Sequence, residues 1–288
     1  MIRSTGRAVA RALLPSAAKR WLNPWRFGNK SFGAAGPRLS VEADGTVSIP
    51  PDIRLRAAGP ILDELRDHFV HHAESREEMA GFLADARSRP GVLFDVGAHQ
   101  GLFSLVFCAA RPDNRVFLYD PSPSAMRIAC DGIAQNGFSA RATACTTAIG
   151  ARRGTASMVL QPSGFAAHVG QGTPDTFHAL VATVDDECAR YGVQPTIVKI
   201  DTEGDELEVL RGAARTLESA RPVLFIELHL DLLDQRGSSA RELCDYLREH
   251  GYSLYSPLGR RLLPLAVHQS LRAVRRVVAR PVRPCRSR

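Results

Sequence analysis

The 288-residue chain has the composition of an ordinary folded protein, with 44% hydrophobic and 23% charged residues. Its six cysteines are scattered without C-x-x-C pairs, which favours a reducing compartment. No run of about 18 apolar residues suggests a transmembrane helix. We therefore expect a cytoplasmic protein with ample core.

The charge is segregated along the chain. Residues 1–41 contain eight Lys or Arg and no acid, and residues 260–288 contain nine and no acid. Residues 42–259 contain the remaining 20 basic residues and all 30 acidic residues, which gives this central part of the chain a net charge of −10. The two ends, rather than the centre, are therefore suited to anionic partners.

Residues 1–59 are predicted to form a basic N-terminal extension and lead-in, and residues 268–288 a basic C-terminal tail. In the first of these, basic residues alternate with Leu and Trp, as in amphipathic helices that lie on anionic membranes. An organelle presequence and a loosely packed extension are alternatives, and we favour the last. Peripheral contact with an anionic membrane is accordingly an expectation for the ends alone.

Residues 60–267 are predicted to form the main domain, beginning with a helical lead-in over residues 60–89. The segment 92–101, VLFDVGAHQG, follows as a strand, a glycine turn and the start of a helix. Glycines let the backbone approach a nucleotide-like ligand, and the helix N-terminus directs N–H groups at it. The spacing D-x-G-x-x-x-G differs from that of NAD-binding folds and favours S-adenosylmethionine.

The next two strands supply further ligand contacts. The strand RVFLYD ends in Asp120, 23 residues after Gly97, where a carboxylate can accept both hydroxyls of a ribose. A third strand within residues 140–150 leads to Thr147 and Ala148, which are expected beside an adenine.

Residues 151–181 interrupt the alternation of strands and helices. The segment is rich in Gly, Ser, Thr and Pro, although Thr155–Gln161 resembles an added strand. A loop of this length is typically a lid or a disordered segment, and we expect a substrate loop.

Two later strands carry ionisable residues. TIVKIDTEG (196–204) places Lys199, Asp201 and Glu203 at the end of a buried strand, either as a structural ion pair or as a ligand-binding cluster. VLFIELH (223–229) ends in Glu227 and His229, which are expected on one face. Residues 252–256 and 262–267 are predicted as the last strands, the latter antiparallel.

Five segments together resemble the FkbM-type family of S-adenosylmethionine-dependent methyltransferases. They are FDVGAHQG (94–101), YDPSP (119–123), VATVDD (181–186), VKIDTEGDELEVLRGA (198–213) and RPVLFIELH (221–229). The fourth is the most specific, and the resemblance covers roughly residues 60–256. Two positions depart from the family pattern, since His99-Gln100 replaces Asn and an apolar residue, and Asp120 replaces Glu.

The resemblance implies a class I methyltransferase fold, a doubly wound α/β sheet that is mostly parallel with one antiparallel strand. It implies methyl transfer to a hydroxyl on a sugar, glycan or secondary metabolite. The residues implied in binding the cofactor are Asp95, Gly97, Ala98, His99, Gly101, Asp120, Pro121, Thr147 and Ala148.

The candidate catalytic residues are Asp201, Glu203, Glu227, His229 and Lys199. A general base would assist removal of the hydroxyl proton, and His229 suits this task by its ordinary pKa. Asp201 and Glu203 could instead bind Mg²⁺, although no metal is expected. Two alternatives are an RNA methyltransferase, which the acidic centre disfavours, and a non-catalytic membrane-associated module of the same fold.

Overall fold

The computed structural model describes residues 39–49, 52–66, 73–160, 167–169, 176–255, 257 and 276–282. The predicted basic amphipathic segment before residue 39 and the predicted strand 262–267 lie outside these ranges. Within them, no helix combines the length and apolar character needed to span a membrane.

Strands and helices alternate over most of the described chain. The strands are β1 (Ser40–Val41), β2 (Thr46–Ile49), β3 (Ile53–Arg56), β4 (Val92–Val96), β5 (Arg115–Tyr119), β6 (Ala142–Cys145), β7 (Ala148–Ile149), β8 (Gly154–Leu160), β9 (Ala167–Val169), β10 (Thr176–Ala182), β11 (Ile197–Ile200), β12 (Val223–Glu227), β13 (Tyr252–Tyr255) and β14 (Arg276–Pro281). The helices are α1 (Pro60–Arg66), α2 (Ala73–Ser88), α3 (Leu102–Ala110), α4 (Pro123–Gln135), α5 (Val184–Tyr191), α6 (Glu206–Arg211), α7 (Ala214–Ser219), α8 (Leu230–Gln235) and α9 (Ala240–Glu249), with a 3₁₀ turn at Ser139–Arg141.

A seven-stranded sheet in the order β13-β14-β12-β11-β4-β5-β6 forms the centre of the protein. Strands β12, β11, β4, β5 and β6 pair in parallel, and β14 runs antiparallel to both of its neighbours. The short apolar runs of β4, β5 and β11 suit strands that are covered on both faces. The predicted doubly wound, mostly parallel α/β fold is confirmed.

The antiparallel strand comes from the segment predicted to be a basic tail. Residues 276–281 lie between β12 and β13, so the assignment of residues 268–288 to a tail outside the domain is wrong. Val277 and Ala279 are fully buried, and the two arginines that flank this apolar segment, Arg276 and Arg280, pair with acidic side chains inside the domain. Alternation of apolar and basic residues here reflects a strand in the sheet.

Alternation also separates the two faces of the sheet. One face packs on α2 and α3 through residues such as Leu93, Ile197 and Phe225. The other packs on α6 to α9 through residues such as Val198 and Ile226. Because alternate residues share a face, Asp95, Lys199, Glu227 and Arg276 all lie on the face covered by α2 and α3.

The segment before α1 belongs to the domain. Strands β1 to β3 form a small antiparallel sheet, and Val47, Ile49, Ile53 and Leu55 join the same core cluster as α3. The predicted domain start at residue 60 is therefore wrong, because these apolar side chains need the core to be buried. Of the predicted helical lead-in, α1 and α2 are present, and residues 67–72 lie outside the described residues.

The predicted substrate loop at 151–181 is largely a second sheet. Strands β7, β10, β8 and β9 pair in that order, with β8 and β10 antiparallel over six residue pairs. β8 (Gly154–Leu160) confirms the added strand predicted at Thr155–Gln161, whereas the expected loop is wrong at β9 and β10. Residues 161–166 and 170–175 lie outside the described residues. The sheet directs Met158 of β8 towards the site described next.

Candidate functional site

A cavity of about 310 Å³ opens at the carboxyl ends of β4, β5 and β11. This is the edge at which parallel sheets of this kind bind ligands. Its lining is strongly acidic. The carboxylate residues that line it are Glu64, Asp95, Asp120, Asp201, Glu203 and Asp205, and the basic residues are His99 and Lys199.

The glycine turn after β4 forms one wall of the cavity. Gly97 has φ +73°, and a Cβ at this position would overlap the carbonyl oxygen of Asp201. Only glycine allows the loops after β4 and β11 to approach this closely. Gly101 has φ +78° and instead packs against Leu118 and Ala129, where a Cβ would lie 3.2 and 3.1 Å from their side chains.

Asp120 has both of its carboxylate oxygens held by backbone donors. Oδ2 accepts the N–H of His99 at 2.9 Å, and Oδ1 accepts the N–H of Ser122 at 2.8 Å. Burial raises the pKa of Asp120, although these two hydrogen bonds oppose the effect. Each oxygen keeps acceptor capacity, so the carboxylate remains able to bind a pair of hydroxyls.

Asp95 lies deeper, at the end of β4. Its Oδ2 accepts a hydrogen bond from the Ser104 hydroxyl of α3 at 2.6 Å. Burial raises the pKa of Asp95 to about 6, with the Ser104 hydrogen bond and the charge of Lys199 acting in the opposite direction. A cation entering the cavity would favour the ionised form.

Lys199 and Asp201 form an ion pair at the end of β11. The distance from Lys199 Nζ to Asp201 Oδ2 is 3.3 Å, and Nζ also lies 5.0 Å from the centre of the Phe103 ring. Burial would raise the pKa of Asp201, but the charges of Lys199 and His229 outweigh it and hold the pKa below its ordinary value. Asp201 is therefore a carboxylate that is poorly suited to accept a proton.

His229 lies behind the cavity, surrounded by carboxylates. Its Nδ1 is 2.8 Å from Glu206 Oε1, and its Nε2 is 3.6 Å from both Asp201 Oδ1 and Glu203 Oε1. Burial alone would lower the pKa of His229, but the hydrogen bond to Glu206 and the charges of Asp201 and Glu203 raise it to about 9. A protonated imidazole cannot accept a proton at neutral pH, which argues against the expected role of His229 as the base.

Glu227 does not join the cavity. Its Oε2 accepts a hydrogen bond from Arg276 Nη2 at 2.7 Å, and Arg276 Nε lies 2.9 Å from Glu78 Oε2. Burial raises the pKa of Glu227 to about 7, and the charge of Asp201 adds to the effect. The expectation that Glu227 and His229 share a face is wrong, since β12 ends at Glu227 and the chain turns before His229.

Two residues that line the cavity have a left-handed backbone without being glycine. His99 has φ +50° and Glu203 has φ +55°. Such conformations cost free energy and are concentrated at functional sites. Glu64 of α1 faces His99 across the cavity, with 3.6 Å between Glu64 Oε2 and His99 Nδ1.

The structure therefore brings most of the predicted residues together. Those that line the cavity are Asp95, Gly97, Ala98, His99, Asp120, Pro121, Ala148, Lys199, Asp201 and Glu203. Gly101, Thr147, Glu227 and His229 are not among its lining residues, so direct contact of these four with a ligand there is not supported. The cofactor and catalytic roles of the others stay predictions.

Several residues that line the cavity or are buried around it escaped the sequence analysis. Glu206 and Glu78 are almost completely buried, and each lies four positions before an apolar residue of its helix, Leu210 and Phe82 respectively. An acidic residue on an apolar helical stripe was the available signal. Met158, from the second sheet, and Glu64 carried no comparable signal.

Metal binding finds no support in the part of the chain that the structure describes. There, no group of three or more His, Cys, Asp or Glu side chains is arranged to hold an ion. Asp201 and Glu203 face His229 instead.

The proteins that this chain resembles in sequence or in fold include several methyltransferases. The chain is 26% identical over 163 residues to the hexuronic acid methyltransferase AglP of Haloferax volcanii, covering 56% of this chain and 65% of AglP. The crystal structure of methyltransferase FkbM from Methylobacillus flagellatus KT aligns over 77% of this chain and 58% of its own, with 16% identity and a TM-score of 0.42. The O-methyltransferase TomG from Streptomyces achromogenes, in complex with SAM, aligns over 79% and 92%, with 12% identity and a TM-score of 0.43.

The chain thus spans less than two thirds of the length of AglP and of the FkbM crystal structure. The family model for the methyltransferase FkbM domain matches residues 95–254, which is more than half of the chain. This match begins at Asp95, so it includes the carboxyl end of β4 and the whole of β5 and β11, the strands at whose ends the cavity opens. The chain belongs to the FkbM methyltransferase family.

Proposed function

We propose that the protein transfers a methyl group from S-adenosylmethionine to a hydroxyl oxygen of a sugar or glycan. The observation that carries the proposal is the single cavity that Asp95, Gly97 and Asp120 all line. Six carboxylate residues line it, against Lys199 and His99. This balance of charge suits a ligand that carries a sulfonium and an ammonium group.

The residues present fit S-adenosylmethionine at three points. Gly97 lets the loops after β4 and β11 meet in the cavity wall, where a Cβ would overlap the Asp201 carbonyl. Asp120 offers acceptor oxygens to the two ribose hydroxyls, and Ala148 supplies a small apolar surface for the adenine. When bound, the cofactor supplies an electrophilic methyl group, and the residues of the chain position the acceptor and take its proton.

The choice of a sugar acceptor rests on the resemblance to a hexuronic acid methyltransferase. The small sheet that carries Met158 borders the cavity and offers a surface for such an acceptor. We assign cofactor binding to Asp95, Gly97, Ala98, His99, Asp120, Pro121 and Ala148.

Titration calorimetry with S-adenosylmethionine tests the first half of the proposal. We expect saturable binding that Asp120→Ala weakens at least tenfold, because a charged hydrogen-bond acceptor is worth about 1.5–3 kcal/mol. Asp113→Ala, an exposed aspartate before β5, is the matched control and should bind as the wild type does. Equal affinity of the two variants would contradict the assignment of Asp120.

Methyl transfer itself is tested with cofactor labelled with tritium in the methyl group. The acceptor panel contains uronic acid glycosides, neutral glycosides, a lipid extract and total RNA. Label in a glycoside supports the proposal, label in RNA replaces it with the RNA methyltransferase alternative, and binding without transfer to any pool supports a non-catalytic module.

A further inference from the structure

The cavity is backed by a carboxylate that does not reach it. The Glu206 side chain is 0% exposed. Its Oε1 accepts the N–H of Gly204 at 2.9 Å and lies 2.8 Å from His229 Nδ1. A buried carboxylate with these partners is a rigid anchor, because leaving it unpaired would cost several kcal/mol.

Glu206 fixes the orientation of the His229 ring through a contact with its Nδ1. Since Glu206 Oε1 already accepts a backbone N–H, His229 Nδ1 is the donor in the contact between them. The ring then directs Nε2 at two carboxylates, Asp201 Oδ1 and Glu203 Oε1, each 3.6 Å away. Three carboxylates from α6 and from the loop after β11 therefore surround one imidazole, which favours its protonated form.

The two carboxylates in front of His229 differ in their surroundings. Asp201 is also paired with Lys199, whose side chain is 2% exposed. The Glu203 side chain is 36% exposed, lines the cavity, and is held there by a left-handed backbone at φ +55°. His229 Nε2 lies at the same distance from both carboxylates, so a protonated ring offsets their mutual repulsion.

We propose that Glu203 is the catalytic residue that takes the acceptor's proton, and that Glu206 and His229 are positioning residues that hold the Glu203 side chain in the cavity. This proposal rests on the proposed methyl transfer to a hydroxyl. In the step, the acceptor O–H bond breaks and its proton joins Glu203, while an oxygen electron pair forms the bond to the methyl carbon. The electron pair of the broken C–S bond stays on sulfur, which becomes neutral.

The first test needs no acceptor. NMR of the ¹⁵N-labelled histidine rings, with His229 assigned by its loss in His229→Asn, reports whether both ring nitrogens carry protons. We expect His229 to be doubly protonated at pH 7.5 in the wild type. In Glu206→Gln its pKa should fall by at least one unit, whereas Glu218→Gln, an exposed site on α7, should leave it unchanged. A neutral His229 in the wild type would overturn the proposal.

The second test is kinetic, with methyl β-D-glucopyranosiduronic acid as the probe and the best acceptor of the panel beside it. Glu203→Gln should lower kcat by 10²–10⁴-fold while binding S-adenosylmethionine normally. Glu206→Gln should lower kcat with KM and the affinity for S-adenosylmethionine nearly unchanged. A purely structural role would lower kcat in Glu206→Gln without lowering the pKa of His229 in the first test.

The outcomes separate this inference from the proposed function. A wild type that binds no cofactor, or that transfers no methyl group, contradicts the proposed function, and the NMR result still decides the state of His229. If the wild type is active but Glu203→Gln keeps its kcat within threefold, Glu203 is not the proton acceptor and the inference alone fails.

Discussion

Arg276 Nη2 lies 2.7 Å from Glu227 Oε2, directly across the ladder that joins β14 to β12. The same guanidinium reaches Glu78 of α2, whose side chain is 1% exposed. A residue of the segment predicted as a basic tail thus provides the cation for the buried Glu78 and the partly buried Glu227 on one face of the sheet.

Replacing Arg276 should therefore destabilise the protein strongly. Arg276→Ala leaves Glu78 and Glu227 without their cation, and removing one partner of a buried pair costs about 3 kcal/mol. Urea unfolding of the two proteins measures the difference. Arg54→Ala breaks an exposed pair with Glu42 and should cost about 0–1 kcal/mol. Similar losses in both variants would show that the Arg276 pair is not structurally important.

Gly97 and Gly137 form a matched pair for testing the turn after β4. Their φ angles are +73° and +70°, but a Cβ at Gly137 meets no atom within 4 Å, whereas one at Gly97 overlaps the backbone of Asp201. Gly137→Ala should cost about 1 kcal/mol for the left-handed backbone alone. Gly97→Ala should cost about 3 kcal/mol, since overlap adds to strain, and should abolish cofactor binding in calorimetry.

The raised pKa of His229 predicts a stability that depends on pH. The folded-state pKa of about 9 exceeds the ordinary 6.5, so the stabilisation is fully present below pH 6.5 and is lost as the pH rises through 9. Urea unfolding between pH 6 and pH 10 should show the stability of the wild type falling towards that of His229→Gln, by on the order of 3 kcal/mol. A constant difference between the two would contradict a raised pKa.

Contact with anionic membranes should depend on residues 1–38. This segment holds all eight basic residues of the N-terminal end, whereas Arg276 and Arg280 of β14 are paired with acidic residues of the domain. Deletion of residues 1–38 should abolish sedimentation with phosphatidylserine vesicles at low salt, since each basic residue contributes about 1 kcal/mol at such a surface. Unchanged sedimentation of the deletion variant would exclude the segment as an anchor.

The sequence predicted the structure best where a short apolar run is followed directly by residues typical of a turn. The strands that end at Val96, Tyr119 and Ile200 and the glycine turn at Gly97 were all predictable, because a buried parallel strand reads as a short apolar run. Most residues of the cavity follow from these strand ends, since parallel strands bring their carboxyl ends to one edge.

The remainder depends on contacts that no local pattern encodes. The partners of Arg276 lie 49 and 198 positions earlier in the chain, so its burial cannot be inferred from its basic neighbours. The strand Thr176–Ala182 follows a stretch rich in glycine and proline, which obscured its pairing with β8. His229 was assigned as a base from its ordinary pKa, and only the fold shows that three carboxylates surround it.

The position of β14 has a consequence for how the sheet is completed. Among the strands that the structure describes, β13 pairs with β14, which joins it to the rest of the sheet and is the last of the seven strands to be synthesised. Until residues 276–281 are in place, Tyr252–Tyr255 present an unpaired edge, of the kind that promotes aggregation. A nonsense mutation or proteolytic cut shortly before residue 276 should therefore give an insoluble product rather than a weakened enzyme.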